Sequence, residues 1–585
     1  MRKRKIISFI LIMFLVVSFT ACQKDVDEDQ GTPNDNGKDN ENQVQYKPEF
    51  GGTMVVPISH VDTLNPLLDN SLSQYYFNKL IFEGLFEFDE SLDINPALAE
   101  SYEIKDNGRK ISVKLKDNVL WHDGEKFNAE DVKFTINVMK YAATDSIYSQ
   151  LMTEIYKPGN PGDLQHILSV NVIDEYNLEI AFDRSYSNSL ESLIFPIIPK
   201  HLFAGDSRNL EEAYQLALTK EGYNPIGTGP YKFDSYDELK LITLKSNEDW
   251  WNGKTYIEEI QGKILEDRDL AITSFESNIV DIALAINVDW EKYAQNGDIN
   301  IYDFISQKYS FLGFNFKNEV FQGEKGKALR QAIAYGIDRD YIIEHVYLGH
   351  GTKVDVPIHP DSWLLSEKDS STYKYNVNKA REKIESAGWK DSNEDGIYED
   401  ESGSNLRLRL LTNSYNELRR QTANSIAEYL EDIGIVVVKD YNSNRKDEIT
   451  EDMAENQWNE VVGKISSGDF DMTLLEWELS YIPDLAFAFH SSEIEEGTNI
   501  IGYEDETMDN LISNAFKAGT REDKNNAYKE LQNYLIEELP YVSLYFDNSA
   551  LLVNNKIKGD INPKSFNIYY NIQDWFIEGE PITEE

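Results

Sequence analysis

The sequence predicts a mixed α/β protein of two or three domains. From Gly51 onward, stretches with period-two alternation of apolar residues alternate with stretches of helical periodicity. Within residues 406–440, LRLRLLTN and GIVVVKDY flank the helical segment NELRRQTANSIAEYLEDIG, and a strand–helix–strand order indicates a partly parallel sheet. Roughly 540 residues follow the N-terminal region, which is too many for a single hydrophobic core.

The first predicted elements are a strand in GGTMVVPI, a loop in DTLNPLLD and a helix over SQYYFNKLIFEGLFEFD (73–89). KISVKLKDNVLWHDG then alternates with period two and ends in a turn. AEDVKFTINVMKYA has helical spacing with acids in its first turn, where they complement the helix dipole. KALRQAIAYGIDRDYIIEHVYLG (327–349) and the helix of the 406–440 unit are amphipathic, and Gly434 ends the latter.

The N-terminal region has the pattern of an export signal. MRKRK precedes an apolar run from Ile6 to Phe19, followed by the small residues Thr20 and Ala21. The run is shorter than the ~20 residues that span a bilayer, so we expect cleavage after residue 21, with an uncleaved anchor as the alternative. FTAC resembles a bacterial lipobox, which predicts lipid on Cys22, the single cysteine of the chain. Residues 22–47 are polar and are predicted to be a disordered linker.

Charge and cysteine content exclude several classes of function. The formal net charge is −47, and it becomes −51 without the four basic residues of MRKRK. A nucleic-acid partner is excluded because phosphate binding needs a basic surface. One cysteine, predicted to carry lipid, leaves no disulfides and no thiolate metal site.

Catalytic and metal-binding patterns are absent from the sequence. No GxSxG motif occurs, and GTGPYK (227–232) precedes a predicted strand with Lys232 in place of the third glycine, so it indicates a turn. The segment DSNEDGIYEDES (391–402) begins like a calcium loop, but Ser402 stands where a bidentate Glu is required. An acidic turn is therefore favoured, and we expect no catalytic residue, metal or cofactor.

Several stretches, in order, resemble the family-5 solute-binding proteins of ABC transporters, the oligopeptide- and dipeptide-binding group. The resemblance covers roughly residues 50 to 575 and is strongest in the segment that contains the family's signature strand, its H-D-G turn and its A-E-D-V helix. The stretches that carry it are TLNP, INPALAESYEIKDNGRKISVKLKDNVLWHDGEKFNAEDVKF, NPIGTGPYKF, SNEDWWNGK, FLGFNFKN, ALRQAIAYGIDRDYII, GDFDMTLLEW and FHSSEIEEGTNIIGYEDETMDNLI.

The resemblance implies a hinged, two-lobed periplasmic-binding-protein-like fold with mixed sheets and an extra subdomain in lobe I. Two crossing segments would join the lobes, and the ligand would lie between them. The implied boundaries are lobe I at 48–95, 222–305 and 546–585, the subdomain at 96–221 and lobe II at 306–545.

The resemblance also implies the ligand-binding residues. In peptide-binding members an aspartate three residues after a tryptophan holds the ligand's ammonium group. Here the tryptophan matches Trp477, but the aspartate position is Ser480. Two arginines that such members carry match Ile465 and Leu474. The implied ligand-binding set is Trp458, Trp477, Ser480, Tyr481 and Asp484.

The departure at Ser480 leaves three interpretations open. Asp484 or another acid such as Glu478 holds the amine, or the ligand lacks a free amine there. Alternatively, Trp458 and Trp477 simply pack lobe II.

The implied function is a lipid-anchored receptor that delivers oligopeptides to an ABC permease. It would be a monomer without catalytic activity, on the outer face of the cell membrane of a Gram-positive envelope. The alternatives are a receptor of the same family for nickel chelates, oligosaccharides or opines, or an extracytoplasmic peptide sensor.

Overall fold

The computed structural model describes residues 46–579 except residues 60, 69–70, 145–165, 186, 206–208, 239, 287, 289, 367–371, 445–449 and 496. The predicted export signal (1–21), Cys22 and most of the predicted linker (22–47) lie outside the described residues. Among the described helices, none combines the length and the apolar character needed to cross a bilayer.

Nineteen strands are found in the described part of the chain. They are β1 (Thr53–Ile58), β2 (Phe86–Phe88), β3 (Ile94–Pro96), β4 (Ala99–Lys105), β5 (Lys110–Leu115), β6 (Ile167–Asp174), β7 (Asn177–Phe182), β8 (Tyr231–Asp237), β9 (Leu241–Ser246), β10 (Glu259–Ile264), β11 (Ile282–Ile286), β12 (Ile299–Phe314), β13 (Gly351–Lys353), β14 (Arg407–Leu411), β15 (Val436–Asp440), β16 (Met472–Glu478), β17 (Tyr541–Asn554), β18 (Ile557–Lys558) and β19 (Phe576–Ile577).

The described α-helices begin mostly at residues whose side chains cap the first turn, such as Asn416, which accepts from the Arg419 amide. They are α1 (Leu72–Asn78), α2 (Ala129–Thr144), α3 (Lys200–Phe203), α4 (Leu210–Ala217), α5 (Arg268–Glu276), α6 (Gly323–Gly336), α7 (Arg339–Val346), α8 (Val377–Ser386), α9 (Glu417–Asp432), α10 (Glu451–Ser467), α11 (Ala486–Phe489), α12 (Glu506–Lys517) and α13 (Arg521–Glu538).

The largest sheet is mixed, with strand order β11-β17-β12-β16-β14-β15 and β13 paired to β17. Its long strands β12 and β17 run antiparallel from Ile299 opposite Asn554 to Gly313 opposite Tyr541. A bulge interrupts this ladder between Ile305 and Tyr309. Within the bulge, the Gln307 carbonyl accepts a hydrogen bond from the Leu479 amide (2.9 Å), so the bulge contacts the segment that follows β16.

Two four-stranded sheets complete the main architecture. One has the order β1-β10-β9-β8, in which β1 and β10 are parallel. The other is antiparallel, with the order β4-β5-β7-β6. The buried apolar side chains cluster by chain region. One cluster draws almost entirely on residues 67–218, others on 54–82 with 231–293 and 550–575, and others on 309–546.

The predicted α/β class is confirmed, and so is the strand–helix–strand unit at 406–440. β14 and β15 are parallel neighbours connected by α9. Residues 228–230 of GTGPYK form the predicted change of chain direction, and its last two residues, Tyr231 and Lys232, begin β8. Gly434 follows α9 with a φ of +91°, a left-handed conformation that favours glycine.

The predicted helix over 73–89 is wrong in its second half. Only α1 is helical, and β2 follows it. The physical reason is that Leu80, Ile81 and Phe82 pack into one core cluster, whereas Leu85 and Phe86 pack into another, so the chain runs between two cores. The predicted helix over 327–349 is divided into α6 and α7, because the Asp338 side chain caps a new helix by accepting from the Tyr341 amide.

Candidate functional site

The candidate site lies at the carboxyl end of β16. This strand is a parallel neighbour of β14 and ends at Glu478. Ligands of α/β proteins commonly bind outside the carboxyl ends of parallel strands. Here a cavity of about 310 Å³ opens at that end, and we call it the tryptophan cavity. Its lining consists of Asn188, Pro357, Ile358, His359, Trp477, Glu478, Leu479, Ser480, Ile482, Pro483, Asp484, Leu485, Phe487 and Phe516.

Trp477 is held in this wall by other aromatic rings. Its indole stacks on Phe311 with ring centroids 5.9 Å apart and meets Phe487 edge-on at 5.4 Å. Phe311 in turn stacks on Tyr541 at 4.0 Å. The Trp477 Nε1 atom is buried and has no hydrogen-bond partner among the described residues. The ring is therefore fixed by packing, and its N–H is a hydrogen-bonding group that the described residues leave unused.

Ser480 and Asp484 both line the cavity, and each is exposed. The Ser480 hydroxyl oxygen accepts from the Ile482 amide (3.2 Å), and Asp484 Oδ1 accepts from the Ala486 amide (2.9 Å). Partial burial raises the pKa of the neighbouring Glu478 carboxyl. No lysine or arginine is among the described residues that line this cavity. The site thus offers two carboxylates without a basic neighbour in its wall.

Tyr481 is placed differently from its neighbours. Its hydroxyl donates to the Ser565 carbonyl, and its ring packs against Phe88 at 5.7 Å and Phe566 at 6.2 Å. Burial raises its pKa well above the usual value of a phenol. Tyr481 is therefore a contact between the segment after β16 and distant parts of the chain, and it does not line the tryptophan cavity.

Trp458 lies on α10, 39 % exposed, and is not part of the cavity lining. The structure does not bring it together with Trp477 at this cavity. Its role in ligand binding stays a prediction.

Two further residues, in the large sheet or just beyond one of its strands, have buried polar atoms without partners, although neither lines the cavity. Both side-chain polar atoms of Asn413, two residues beyond β14, are buried without a hydrogen bond from any described residue, and Asn413 is 1 % exposed. On β17, Asp547 Oδ1 is likewise unpartnered within the described chain. Burial, together with the nearby Glu476 carboxylate, raises the pKa of Asp547 to about 8, although Lys308 and Arg419 act in the opposite direction. Arg419 is itself paired with Glu476 at 3.2 Å.

Beside the lining residues Asn188 and Phe516, residues 91–93 and 187–191 contact Trp363 and residues 516–524. We call this set of contacts the clasp. The Ser187 amide donates to the Phe516 carbonyl (3.0 Å). The buried Lys524 ammonium pairs with the buried Glu191 carboxylate and donates to the Ser187 carbonyl (3.2 Å).

At the outer side of the clasp, Arg521 pairs with Asp93 and lies 4.0 Å from the centre of the Trp363 ring. The Trp363 amide donates to the Ser91 carbonyl (2.8 Å). Two backbone hydrogen bonds and two ion pairs therefore join residues 91–93 and 187–191 to Trp363 and to residues 516–524.

Sequence reasoning missed every lining residue outside the end of β16 and the segment that follows it, among them Asn188, His359 and Phe516. The His359 ring is buried, which lowers its pKa. Its Nε2 lies 3.2 Å from the Ile305 carbonyl oxygen, and its Nδ1 accepts from the Asp361 amide (3.2 Å). Both ring nitrogens are thus engaged by the backbone. These residues are far apart in the chain and meet only in the folded protein, so no local pattern could have revealed them.

The predicted acidic turn at 391–402 forms, with the Asp395 and Gly396 amides donating to the Asp391 carboxylate at 3.1 and 3.0 Å. Ligand atoms of Asp391, Asp395 and Glu399 lie within 4.8 Å of one another. Glu399 Oε1 accepts from the Asn393 side-chain amide (2.7 Å), so local hydrogen bonds already use this carboxylate.

Comparison with known proteins identifies the family. The family model "Bacterial extracellular solute-binding proteins, family 5 Middle" matches residues 93–493. The oligopeptide-binding protein AppA of Bacillus subtilis is 28 % identical over 98 % of this chain and 99 % of its own length.

Two solved structures extend the comparison. AppA from Bacillus subtilis in complex with a nonapeptide has a TM-score of 0.59 at 27 % identity, over 91 % of this chain and 100 % of that one. NikZ from Campylobacter jejuni in complex with Ni(L-His) has a TM-score of 0.61 at 26 % identity, over 90 % and 99 %. The fold is that of the two-lobed binding proteins, as predicted, and the chain belongs to the bacterial extracellular solute-binding proteins of family 5.

Proposed function

We propose that this protein captures oligopeptides between two lobes and delivers them to an ABC permease for import. The observation that carries the proposal is the tryptophan cavity at the carboxyl end of β16, together with unpartnered polar atoms of Trp477 in its wall and of Asn413 and Asp547 elsewhere in the same sheet region. A buried polar group without a partner costs about 1–3 kcal/mol. An extended peptide carries a donor and an acceptor at every residue and can satisfy such groups. The peptide-bound AppA structure supports this choice of ligand.

The proposed lobes follow the boundaries given above: lobe I at 48–95, 222–305 and 546–585, the subdomain at 96–221 and lobe II at 306–545. The grouping of buried apolar side chains by chain region supports this division. β12 and β17 would be the two crossing segments, since each contributes to clusters of both lobes. The bulge in β12 adjoins the proposed boundary at residue 305, where the ladder is weakest and the lobes could bend.

In this proposal Glu478 and Asp484 hold the ammonium group of the ligand. Both carboxylates line the tryptophan cavity beside Ser480, whose hydroxyl cannot neutralise a positive charge. An ammonium ion entering a partly desolvated site needs a carboxylate partner, because an unpaired buried charge is costly. The Trp477 N–H would donate to a peptide carbonyl oxygen.

A metal chelate is the second candidate, favoured by the similarity to NikZ. The carboxylates of Glu478 and Asp484 could contact the cation of such a chelate. His359, the cavity's histidine, has both nitrogens engaged by the backbone and is poorly placed to act as a ligand to the metal. This argues for a peptide over a nickel chelate.

The protein would act at the cell surface. Cleavage after residue 21 and acylation of Cys22 would anchor the protein to the outer face of the cell membrane, in a Gram-positive envelope. The protein would act as a monomer, without catalysis, and its partner would be the permease.

The test is to purify residues 48–585, denature the protein and identify the released small molecules by mass spectrometry. We expect a set of short peptides of mixed sequence. Binding of synthetic peptides to the emptied protein, measured by calorimetry, checks the same point. A single non-peptide species, together with no response to peptide mixtures, would refute peptide capture and favour another solute of the family.

A further inference from the structure

A second cavity, of about 180 Å³, is lined almost entirely by residues of the proposed lobe I. Its lining residues fall within 79–87, 250–252 and 567–573, with single contributions from Ala97 and Pro230. None of these described residues lines the tryptophan cavity. We call this second site the aromatic cavity.

Aromatic side chains form much of the wall of the aromatic cavity. Two of them are the neighbouring indoles of Trp250 and Trp251, whose ring centroids are 6.1 Å apart with an interplanar angle of 63°. The faces of aromatic rings carry partial negative charge and attract cations. The aromatic residues that line the cavity are Phe82, Phe86, Trp250, Trp251, Tyr569 and Tyr570.

Two carboxylates line the same cavity and differ in their partners. Glu83 accepts hydrogen bonds from the Thr228 hydroxyl (2.7 Å) and from the N–H groups of both indoles (3.2 and 2.9 Å). The Glu87 carboxylate accepts a hydrogen bond from none of the described residues. Desolvation raises the pKa of both carboxyl groups, that of Glu83 to about 7. The fold therefore satisfies Glu83 and leaves the lone pairs of Glu87 unused.

The two lysines near Glu87 do not compensate for its desolvation. The Lys116 ammonium donates to two backbone carbonyl groups and lies 4.2 Å from the centre of the Trp251 ring. The Lys79 ammonium lies 5.0 Å from the centre of the Tyr75 ring. Desolvation raises the pKa of Glu87 by more than these two positive charges lower it. A further cation beside Glu87 would therefore stabilise its ionised form.

The surroundings of the aromatic cavity are acidic. Burial and nearby carboxylates, among them Glu87, Asp89 and Asp560, raise the pKa of the Tyr570 hydroxyl. The whole chain also has a formal net charge of −47. Both observations favour a cation over an anion as the occupant of the cavity.

We propose that the aromatic cavity binds a small organic cation with a substituted ammonium group. The Glu87 carboxylate is its counter-ion, and the aromatic rings contact its methyl groups, a combination that recognises quaternary ammonium ions in other proteins. Cavities of about 150 Å³ accept a benzene-sized molecule, so the aromatic cavity is large enough for choline. Glu87 is exposed, and a small ion can reach it from solvent. The inference does not depend on peptide capture, because the two cavities share no described lining residue.

The experiment compares choline with 3,3-dimethylbutan-1-ol, a neutral molecule of the same shape. Binding of each to the purified protein of residues 48–585 is measured by calorimetry in about 0.15 M sodium chloride, which screens exposed surface charges. We expect choline to bind at least about 10-fold more tightly, because only the ammonium ion is attracted to the carboxylate and to the ring faces. Equal affinities, or no binding of choline, would overturn the inference.

Glu87→Gln keeps the size of the side chain and removes its charge. We expect this variant to bind choline about 10-fold more weakly and the neutral alcohol as the parent protein does. Glu103→Gln is the matched control, because Glu103 is exposed on β4 and does not line the cavity. Unchanged choline affinity in Glu87→Gln would place the cation elsewhere and overturn the inference. Equal weakening in both variants would show a general effect of charge and overturn it as well.

A third variant, Tyr570→Leu, tests the contribution of the aromatic rings. It keeps an apolar side chain in the wall and removes one ring face, so choline affinity should fall about 2- to 30-fold. The affinity for the neutral alcohol should change less. Thermal unfolding checks that each variant is folded. A choline affinity equal to that of the parent protein would overturn the proposed contact with the rings.

Discussion

Two regions of this protein contain buried polar groups, and they differ in whether the described residues provide partners for those groups. In the clasp, the Lys524 ammonium has the Glu191 carboxylate and the Ser187 carbonyl as partners. In the large sheet, Asp547 on β17 and Asn413 just after β14 have buried atoms that no described residue satisfies. Folding alone explains the first arrangement. The second leaves hydrogen-bonding capacity unused, as expected of a surface completed by a ligand.

The largest effect should follow from breaking the buried pair of the clasp. Lys524→Met leaves the Glu191 carboxylate buried and unpaired, and such changes typically cost about 3–5 kcal/mol. We expect a clear fall in the midpoint of thermal or urea unfolding. Lys529→Met, exposed on the same helix, is the control.

The double variant Lys524→Met/Glu191→Leu sharpens this prediction. Replacing both charges by apolar groups should restore most of the lost stability. A Lys524→Met variant no less stable than Lys529→Met would contradict the structural role of the pair.

Substitution of Asp547 should instead increase the stability of the folded protein at high pH. The pKa of Asp547 is raised to about 8, mainly by burial, whereas an unfolded carboxyl titrates near 4. Between these values the folded chain keeps a proton that the unfolded chain releases, so this group lowers stability as pH rises from about 4 to 8.

Asp547→Asn removes that proton equilibrium and with it the contribution to the pH dependence. At pH 9, without ligand, we expect the variant to be about 1–3 kcal/mol more stable than the parent protein. Urea unfolding between pH 5 and 9 measures the difference, with Glu522→Gln as an exposed control for the loss of one negative charge. Parallel pH profiles for parent and variant would show that Asp547 is ionised at neutral pH.

A smaller effect, on binding rather than stability, is expected at Trp477. Trp477→Phe keeps the stacking on Phe311 but deletes the unpartnered N–H. Loss of about 1–2 kcal/mol corresponds to peptide affinity weakened about 5- to 30-fold. Calorimetry with a peptide identified by mass spectrometry measures the change. Trp458→Phe is the comparison outside the cavity, and an equal loss in both variants would argue against the special role of the Trp477 edge.

The smallest effect belongs to the exposed side of the clasp. Arg521 pairs with Asp93 and covers Trp363, but more than half of its side chain is exposed. Arg521→Met should cost no more than about 1 kcal/mol. The cost should shrink in high salt, because mobile ions screen exposed charges. Urea unfolding measures the change in the free energy of unfolding. A decrease as large as that of Lys524→Met would contradict the expected difference between the exposed and the buried ion pair.

Much of the architecture could be predicted from sequence, because local periodicity decides it. The strand–helix–strand unit at 406–440 has clear alternation in its strands and a glycine that ends its helix. The stretch 73–89 has equally helical spacing, but Phe82 and Leu85 belong to different cores. Periodicity cannot show which core a side chain will enter.

Only the part of the candidate site at the end of β16 and in the segment that follows it could be predicted from the sequence. Resemblance led to Trp477, Ser480 and Asp484, and all three line the same cavity. Asn188 and Phe516 reach that cavity through the clasp, which depends on contacts between residues hundreds of positions apart. At the acidic turn, the calcium-loop spacing requires a carboxylate at position 402, where the chain has Ser402. In the structure, the third carboxylate beside Asp391 and Asp395 belongs to Glu399.

The hydrogen bond between the Leu479 amide and the Gln307 carbonyl has a mechanical consequence. It ties the segment that carries Ser480 and Asp484 to the point where the β12–β17 ladder is interrupted. A ladder resists bending where it is continuous and yields where it is broken. Occupancy of the cavity should therefore stiffen the crossing strands at their most compliant point. Amide hydrogens of residues 305–309 should exchange with solvent faster than their neighbours in the empty protein, and should slow when a ligand binds.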